Sequence, residues 1–293
     1  GTGTIGASCA ALFVGHGLDV VATDPAPGAE EKMRAFVARA LPDACPPHAP
    51  TQGRLTFVAT PEAAVAGADL IQENAPERAD LKADLIAALE AAMQAHCIIA
   101  SSTTALTHSA ITLKARDPSR TIVAHPFNPP HLVPLVELVG TAPDAPAIRR
   151  AHAFYRSLGR EPVVLKKEAV GHLANRLQAA LMREALYILE QGIADVEDID
   201  KAVKFGPGLR WAYMGPFQTF HLAGGAGGIR NYIAHLFPSQ FQRWASLGTP
   251  AMDDALKAAL IEGVDRLAAG RSIAALEAER DDALKAILKV VRT

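Results

Sequence analysis

Cysteine is scarce in this 293-residue chain: Cys9, Cys45 and Cys97 are too few and too scattered to frame disulfides or a metal cluster. They are expected to serve as small apolar residues in a reducing compartment, the cytoplasm. Charge of one sign is also lacking. Lys and Arg number 29 against 31 acids, a formal net charge of −2, which gives no electrostatic case for nucleic acid or an anionic membrane as partner. No apolar run approaches the roughly 18 residues of a membrane helix, and no signal peptide is visible. The ten histidines show no ligand spacing such as HExxH, so no metal is expected. What remains is an ordinary globular composition, 49% apolar and 20% charged, long enough for a sizeable core and two domains.

The most informative stretch is HPFNPPHLVPLVE, His125 to Glu137. It sets an imidazole and a carboxylate on two sides of a proline-stiffened turn. A histidine titrates near neutral pH, and a neighbouring carboxylate fixes its tautomer and stabilises its charged form, as a general base for an alcohol requires. The pair therefore predicts reversible deprotonation of a hydroxyl.

Upstream, the chain opens on GTGTIG, with Gly1, Gly3 and Gly6 around Thr4 and Ile5, and runs into a helix of small residues. Glycines there let backbone N–H groups approach a pyrophosphate at a helix N-terminus. After Gly17 the apolar run from Leu18 to Thr23 ends at Asp24, eighteen residues beyond Gly6. That acid suits a ribose 2′-hydroxyl and repels a 2′-phosphate, so the expected cofactor is NAD rather than NADP. A dinucleotide fold needs a buried strand before these glycines, and it is expected to lie upstream of Gly1.

From Leu18 to about Lys167 apolar runs near 18–23, 54–58, 69–73, 97–101, 121–124, 134–139 and 162–165 alternate with helical stretches near 29–41, 80–94, 107–115 and 145–158. This alternation predicts a Rossmann-like, doubly wound parallel sheet covered on both faces, its first strand missing. The proline-bearing segment 43–53 is expected to be a loop, and so is the glycine-rich 224–228. From Val170 onward strands cease and helical patterns take over, near 171–190, 196–204, 253–268 and 276–291. The predicted layout is an NAD-binding domain over 1–168 and an all-helical domain over 169–293, with a cleft between them. Leu181, Leu186, Ile188 and Leu189 on one long helix give the second domain more apolar surface than it buries, which predicts a homodimer.

With these residues placed, the chain resembles the L-3-hydroxyacyl-CoA dehydrogenase superfamily over nearly its whole length. The matching blocks are GTGTIG, Asp24, ENAPERADLK at 73–82, ASSTTAL at 100–106, HPFNPP at 125–130, Glu137 and VGHLANRL at 170–177. The resemblance implies that His125 and Glu137 form the catalytic pair, that Asn175 and Thr104 contact the reacting oxygen, and that Glu77 and Lys82 lie along the cofactor. Position 104 is usually Ser in that family. Thr104 keeps the hydroxyl but adds a methyl group.

The segment GPGLRWAYMGPFQTF, 206–220, bears on the substrate. Acyl-CoA members have a shorter turn here without the Arg and Trp, and the segment resembles the carnitine-oxidising branch more than the gulonate-oxidising branch and its lens-crystallin relatives. The whole chain holds only ten Phe, four Tyr and two Trp, yet Trp211, Tyr213, Phe217 and Phe220 fall together. Aromatic faces attract a quaternary ammonium by roughly 0.5–2 kcal/mol per contact. Arg210 is the candidate to hold a substrate carboxylate. A small-molecule substrate, carnitine or another short 3-hydroxy acid, is therefore expected. A short 3-hydroxyacyl-CoA predicts a basic patch that 206–220 lacks, and a purely structural, crystallin-like role is opposed by retention of both members of the pair.

Overall fold

The computed structural model describes residues 1–45 and 52–291, which fall into two compact units, Gly1–Arg176 and Leu177–Thr293. In the first unit strands alternate with helices: α1 (Thr4–Gly15), β1 (Val20–Ala22), α2 (Ala29–Ala44), β2 (Leu55–Phe57), α3 (Pro61–Val65), β3 (Leu70–Glu73), α4 (Ala79–Ala92), β4 (Ile98–Ser101), α5 (His108–Ile111), β5 (Thr121–Pro126), β6 (Leu135–Val139), α6 (Pro146–Ser157) and β7 (Glu161–Val164). All seven apolar runs expected as strands are strands. β1 and β2 pair in parallel, and the remaining five form a sheet in the order β3-β4-β5-β6-β7.

One strand corrects the expectation of an all-parallel sheet. β6 runs antiparallel to β5, because the connection 127–134 is shorter than the dozen or so residues that a parallel crossover needs. The consequence reaches the chemistry. In this register His125 lies directly opposite Glu137, and directly opposed residues point to the same face.

Alternation along the strands divides the core. Ile98, Ala100, Ile122, Ala124, Val136 and Leu138 face α1 and α6, packing on Leu12, Phe13, Ile148 and Tyr155. Ile99, Val123 and Val139 face the other way, onto Ile86, Leu89 and Ile111 of α4 and α5. His125 and Glu137, two residues beyond Val123 and two before Val139, continue that second face.

The loop expected over 43–53 is shorter at its start, since α2 passes through Pro42 to Ala44. Pro42 removes one helical N–H bond, but Met33, Val37, Ala40 and Ala44 form a continuous buried stripe against α1 that sustains the last turn. Residues 46–51 of that segment lie outside the described residues.

The helix α7 (Ala174–Glu190) starts at the end of the first unit. The second unit continues with α8 (Val196–Phe205), α9 (Pro207–Trp211), α10 (Pro216–Ala223), α11 (Gly228–Asn231), a π turn over Tyr232–Leu236, α12 (Pro238–Ser246), α13 (Asp254–Ala268) and α14 (Ile273–Val291). The glycine-rich 224–228, expected as loop, carries a 3-10 turn at Gly225–Gly227 and the start of α11. The short helices α9, α10 and α12 each begin on a proline, which reads as a breaker in sequence but is pre-set for a first helical turn. No helix among the described residues is long and apolar enough to cross a membrane.

Candidate active site

His125 Nδ1 lies 2.8 Å from Glu137 Oε2, with the histidine 4% exposed and the glutamate fully buried. The other carboxylate oxygen, Oε1, accepts the backbone N–H groups of Leu173 and Ala174, each at 2.8 Å. Glu137 thus sits at the N-terminus of α7, where unpaired amides and the helix dipole favour an anion. Burial pushes its carboxyl up, but the hydrogen bonds from His125, Ala174 and Leu173 outweigh it and hold the carboxyl below the usual range. An ionised carboxylate only accepts, so Nδ1 of His125 carries the proton of this bond, and in the neutral ring Nε2 is then the nitrogen with the lone pair, the form of a general base.

Glycines shape the opening turn. A Cβ on Gly1 would lie 2.5 Å from Asn74 O and one on Gly6 2.1 Å from Gly1 O, so both are needed for close backbone packing. At Gly3 a Cβ would meet nothing, so this residue faces outward at the start of α1, where no side chain caps the helix amides. Thr4 and Ile5 form the first turn behind it. Asp24 accepts Thr2 N at 2.7 Å and Ala26 N at 2.9 Å; against the upward push of burial, these bonds hold its carboxyl below the usual range. A free helix N-terminus and an ionised acid at the end of β1 fit the pyrophosphate and ribose of a dinucleotide.

Glu77 and Lys82 are both held by protein partners. Lys82 is 1% exposed, and its ammonium donates to both oxygens of Glu73 at 3.0 and 2.9 Å and to Ala75 O at 2.9 Å, which takes up its three donors. Glu73 also accepts from Ser101 Oγ and Ala75 N. Glu77 Oε1 faces the loop after β4, accepting from Thr103 Oγ1 at 2.6 Å and from the N–H groups of Thr104 and Ala105 at 2.9 Å. The Thr104 hydroxyl reaches the same oxygen at 3.2 Å, and Asn175 Nδ2 donates to Thr104 O at 3.1 Å.

The 171–175 turn therefore holds Glu137 on one side and the 103–104 loop on the other. Sequence reasoning missed the residue at its centre. His172 is 2% exposed, takes a left-handed φ of 51° after Gly171 at 74°, and bonds through Nε2 to Thr103 O at 3.0 Å. Its ring centroid lies 5.3 Å from that of His125, whose other neighbour is Phe127 at 5.8 Å. The signal was available in the adjacent Gly171, which marks a turn, but nothing in residue type alone gives His172 a positive φ.

In the second unit Arg210, Trp211, Tyr213, Phe217 and Phe220 are all exposed, Phe217 the most at 86%. Among the described residues the Arg210 side chain has no partner, and no two of the four rings stack on one another; Phe220 pairs with buried Tyr232 at 5.0 Å.

Residues 1–169 match the family profile for 3-hydroxyacyl-CoA dehydrogenase, NAD binding domain, and residues 171–259 the profile for its C-terminal domain. The chain is 46% identical to an L-carnitine dehydrogenase of Pseudomonas putida over 298 aligned positions, covering 100% of this chain and 92% of that protein. It is likewise 46% identical to an L-carnitine dehydrogenase of Streptomyces griseus, covering 100% and 88%. A solved structure of an NAD+-dependent dismutase, 5-formyl-3-hydroxy-2-methylpyridine 4-carboxylic acid 5-dehydrogenase, superposes with a TM-score of 0.83 at 29% identity, covering 100% of this chain and 96% of that one. With both profiles and full-length relatives in agreement, the chain belongs to the 3-hydroxyacyl-CoA dehydrogenase family, with its NAD-binding domain at residues 1–169.

Proposed function

We propose that this NAD-dependent dehydrogenase oxidises the 3-hydroxyl of L-carnitine to 3-dehydrocarnitine, with His125 and Glu137 as its proton-transfer pair. The observation that carries the chemistry is the buried 2.8 Å contact between His125 Nδ1 and Glu137 Oε2, which leaves Nε2 as the base. The full-length relatives named L-carnitine dehydrogenase supply the substrate.

His125 Nε2 accepts the hydroxyl proton, and Glu137 stabilises the imidazolium that results. NAD+, when bound, supplies the carbon that receives the hydride. Gly1, Gly3, Thr4, Ile5 and Gly6 hold its pyrophosphate and Asp24 its adenosine ribose, with a preference over NADP. Asn175 and Thr104 orient the reacting oxygen, while Glu77 and Lys82 lie along the cofactor, fixed in place by the 103–106 loop and by Glu73. Arg210 pairs with the substrate carboxylate, and Trp211, Tyr213, Phe217 and Phe220 offer π-faces to the trimethylammonium. Their exposure and the unpaired guanidinium support that reading. The enzyme works as a cytoplasmic homodimer through its helical unit.

The test is a substrate panel of L-carnitine, L-gulonate and 3-hydroxybutyryl-CoA with NAD+. Carnitine is expected to give the highest kcat/KM, and His125→Gln to lower kcat by about 10²–10⁴-fold while NADH binding persists. Faster turnover of either competitor would overturn the substrate, and an active His125→Gln enzyme would overturn the pair.

A further inference from the structure

Glu137 is clamped by two successive amides, and both come from residues that directly follow His172. Those amides reach one oxygen only because the chain takes two left-handed steps in a row, at Gly171 and His172. Glycine adopts such a φ freely, whereas a histidine there is strained and persists only where other contacts enforce it. The His172 side chain provides them. Its Nε2 donates to the carbonyl of Thr103, and its ring lies against that of His125. Because a carbonyl cannot donate, the proton is fixed on Nε2.

We propose that His172 is a positioning residue for the proton-transfer pair: tethered to Thr103 O, it locks the turn that delivers Leu173 and Ala174 amides to Glu137 and closes one face of the His125 ring. The inference rests on the dehydrogenase reading above but not on the identity of the substrate. The ionisable groups facing His172 are His125, Glu137 and Glu77. Burial lowers the basicity of His172 against the opposing pull of its bond to Thr103 O, so the net shift disfavours a charged ring beside His125. The distance between rings, 5.3 Å, leaves no room for a solvent layer on that face.

Three variants of the full chain separate ring, donor and backbone. His172→Gly keeps the left-handed turn without strain and removes the ring; His172→Phe keeps an aromatic wall without the donor; His172→Gln restores a side-chain N–H donor. Two readouts apply: the kcat and NAD+ KM for whichever panel substrate is turned over, and the solvent-exchange rate of the downfield Nδ1 proton of His125. Gly and Phe are expected to lower kcat about tenfold with NAD+ KM unchanged and to speed proton exchange by a similar factor, while Gln recovers most of both. Wild-type kcat and exchange rate in His172→Gly would overturn the proposal, as would a Gln variant no better than Phe. If the wild type oxidises none of the three panel substrates, the substrate reading fails on its own, and the exchange measurement still decides this one.

Discussion

The two oxygens of Glu137 act in different directions, one toward His125 Nδ1 and one toward the helix that begins at Ala174, so a single charge holds both the imidazole and the turn. That double role has a pH signature. Its carboxyl is held below the usual range in the folded chain, so the unfolded chain binds its proton first as pH falls. The stabilisation is present above the ordinary glutamate range and lost as pH drops through the folded value, at about 1.4 kcal/mol per unit of displacement. Glu77 and Asp24, depressed in the same direction, add to the trend. Unfolding free energy from urea titrations is expected to be level near neutrality and to fall below about pH 4.5. In Glu137→Gln it starts lower and falls less steeply, so the two curves converge; parallel curves would show that the carboxylate is not ionised in the fold. The pair itself was legible in sequence because one turn fixes a twelve-residue spacing. His172 was not, because its role comes from a backbone angle and a ring contact that no residue type encodes.

Among the elements, β3, β4 and α4 meet at a buried ion pair. Lys82 in the first turn of α4 reads in sequence as a solvated charge or a cofactor contact, and neither pattern nor spacing reveals that Glu73, at the end of β3, lies beneath it with Ser101 of β4. Removing one member leaves a buried charge alone, which costs about 3–5 kcal/mol, whereas replacing both with neutral groups costs much less. Lys82→Met is thus expected to lose stability in that range, and the double Glu73→Gln/Lys82→Met variant to recover most of it. A double variant as unstable as the single one would show that packing of the lysine stem, rather than its charge, holds α4 on the sheet. The strands were legible in sequence because apolar runs bounded by turns are short-range patterns. The antiparallel β6 was not read as such, although the short connection carried the signal, and the helices starting on Pro207, Pro216 and Pro238 were hidden because proline marks both a break and a first turn.

At the scale of the whole molecule, the helical unit buries little of its apolar content. Along α7, Leu177 is 60% exposed and Leu181 and Met182 are exposed beside it, and Phe241 and Trp244 of α12 add exposed rings. Monomers rarely leave continuous apolar patches beyond about 300–600 Å², and a stable interface covers roughly 800 Å² per partner. Burial inside the unit does not remove these side chains from water, so a second copy with a self-complementary face is the economical cover. Light scattering coupled to size exclusion should give a mass near twice 30.9 kDa. Leu177→Glu and Leu181→Glu together, both at exposed positions of α7, should shift that mass to the monomer and expose dye-binding surface. A wild-type monomer at micromolar concentration would overturn the dimer, and a dimer indifferent to both glutamates would place its interface away from α7. The apolar spacing that makes this helix visible in sequence is the same spacing that leaves its face uncovered, because periodicity reports which residues share a side and is silent about what they meet.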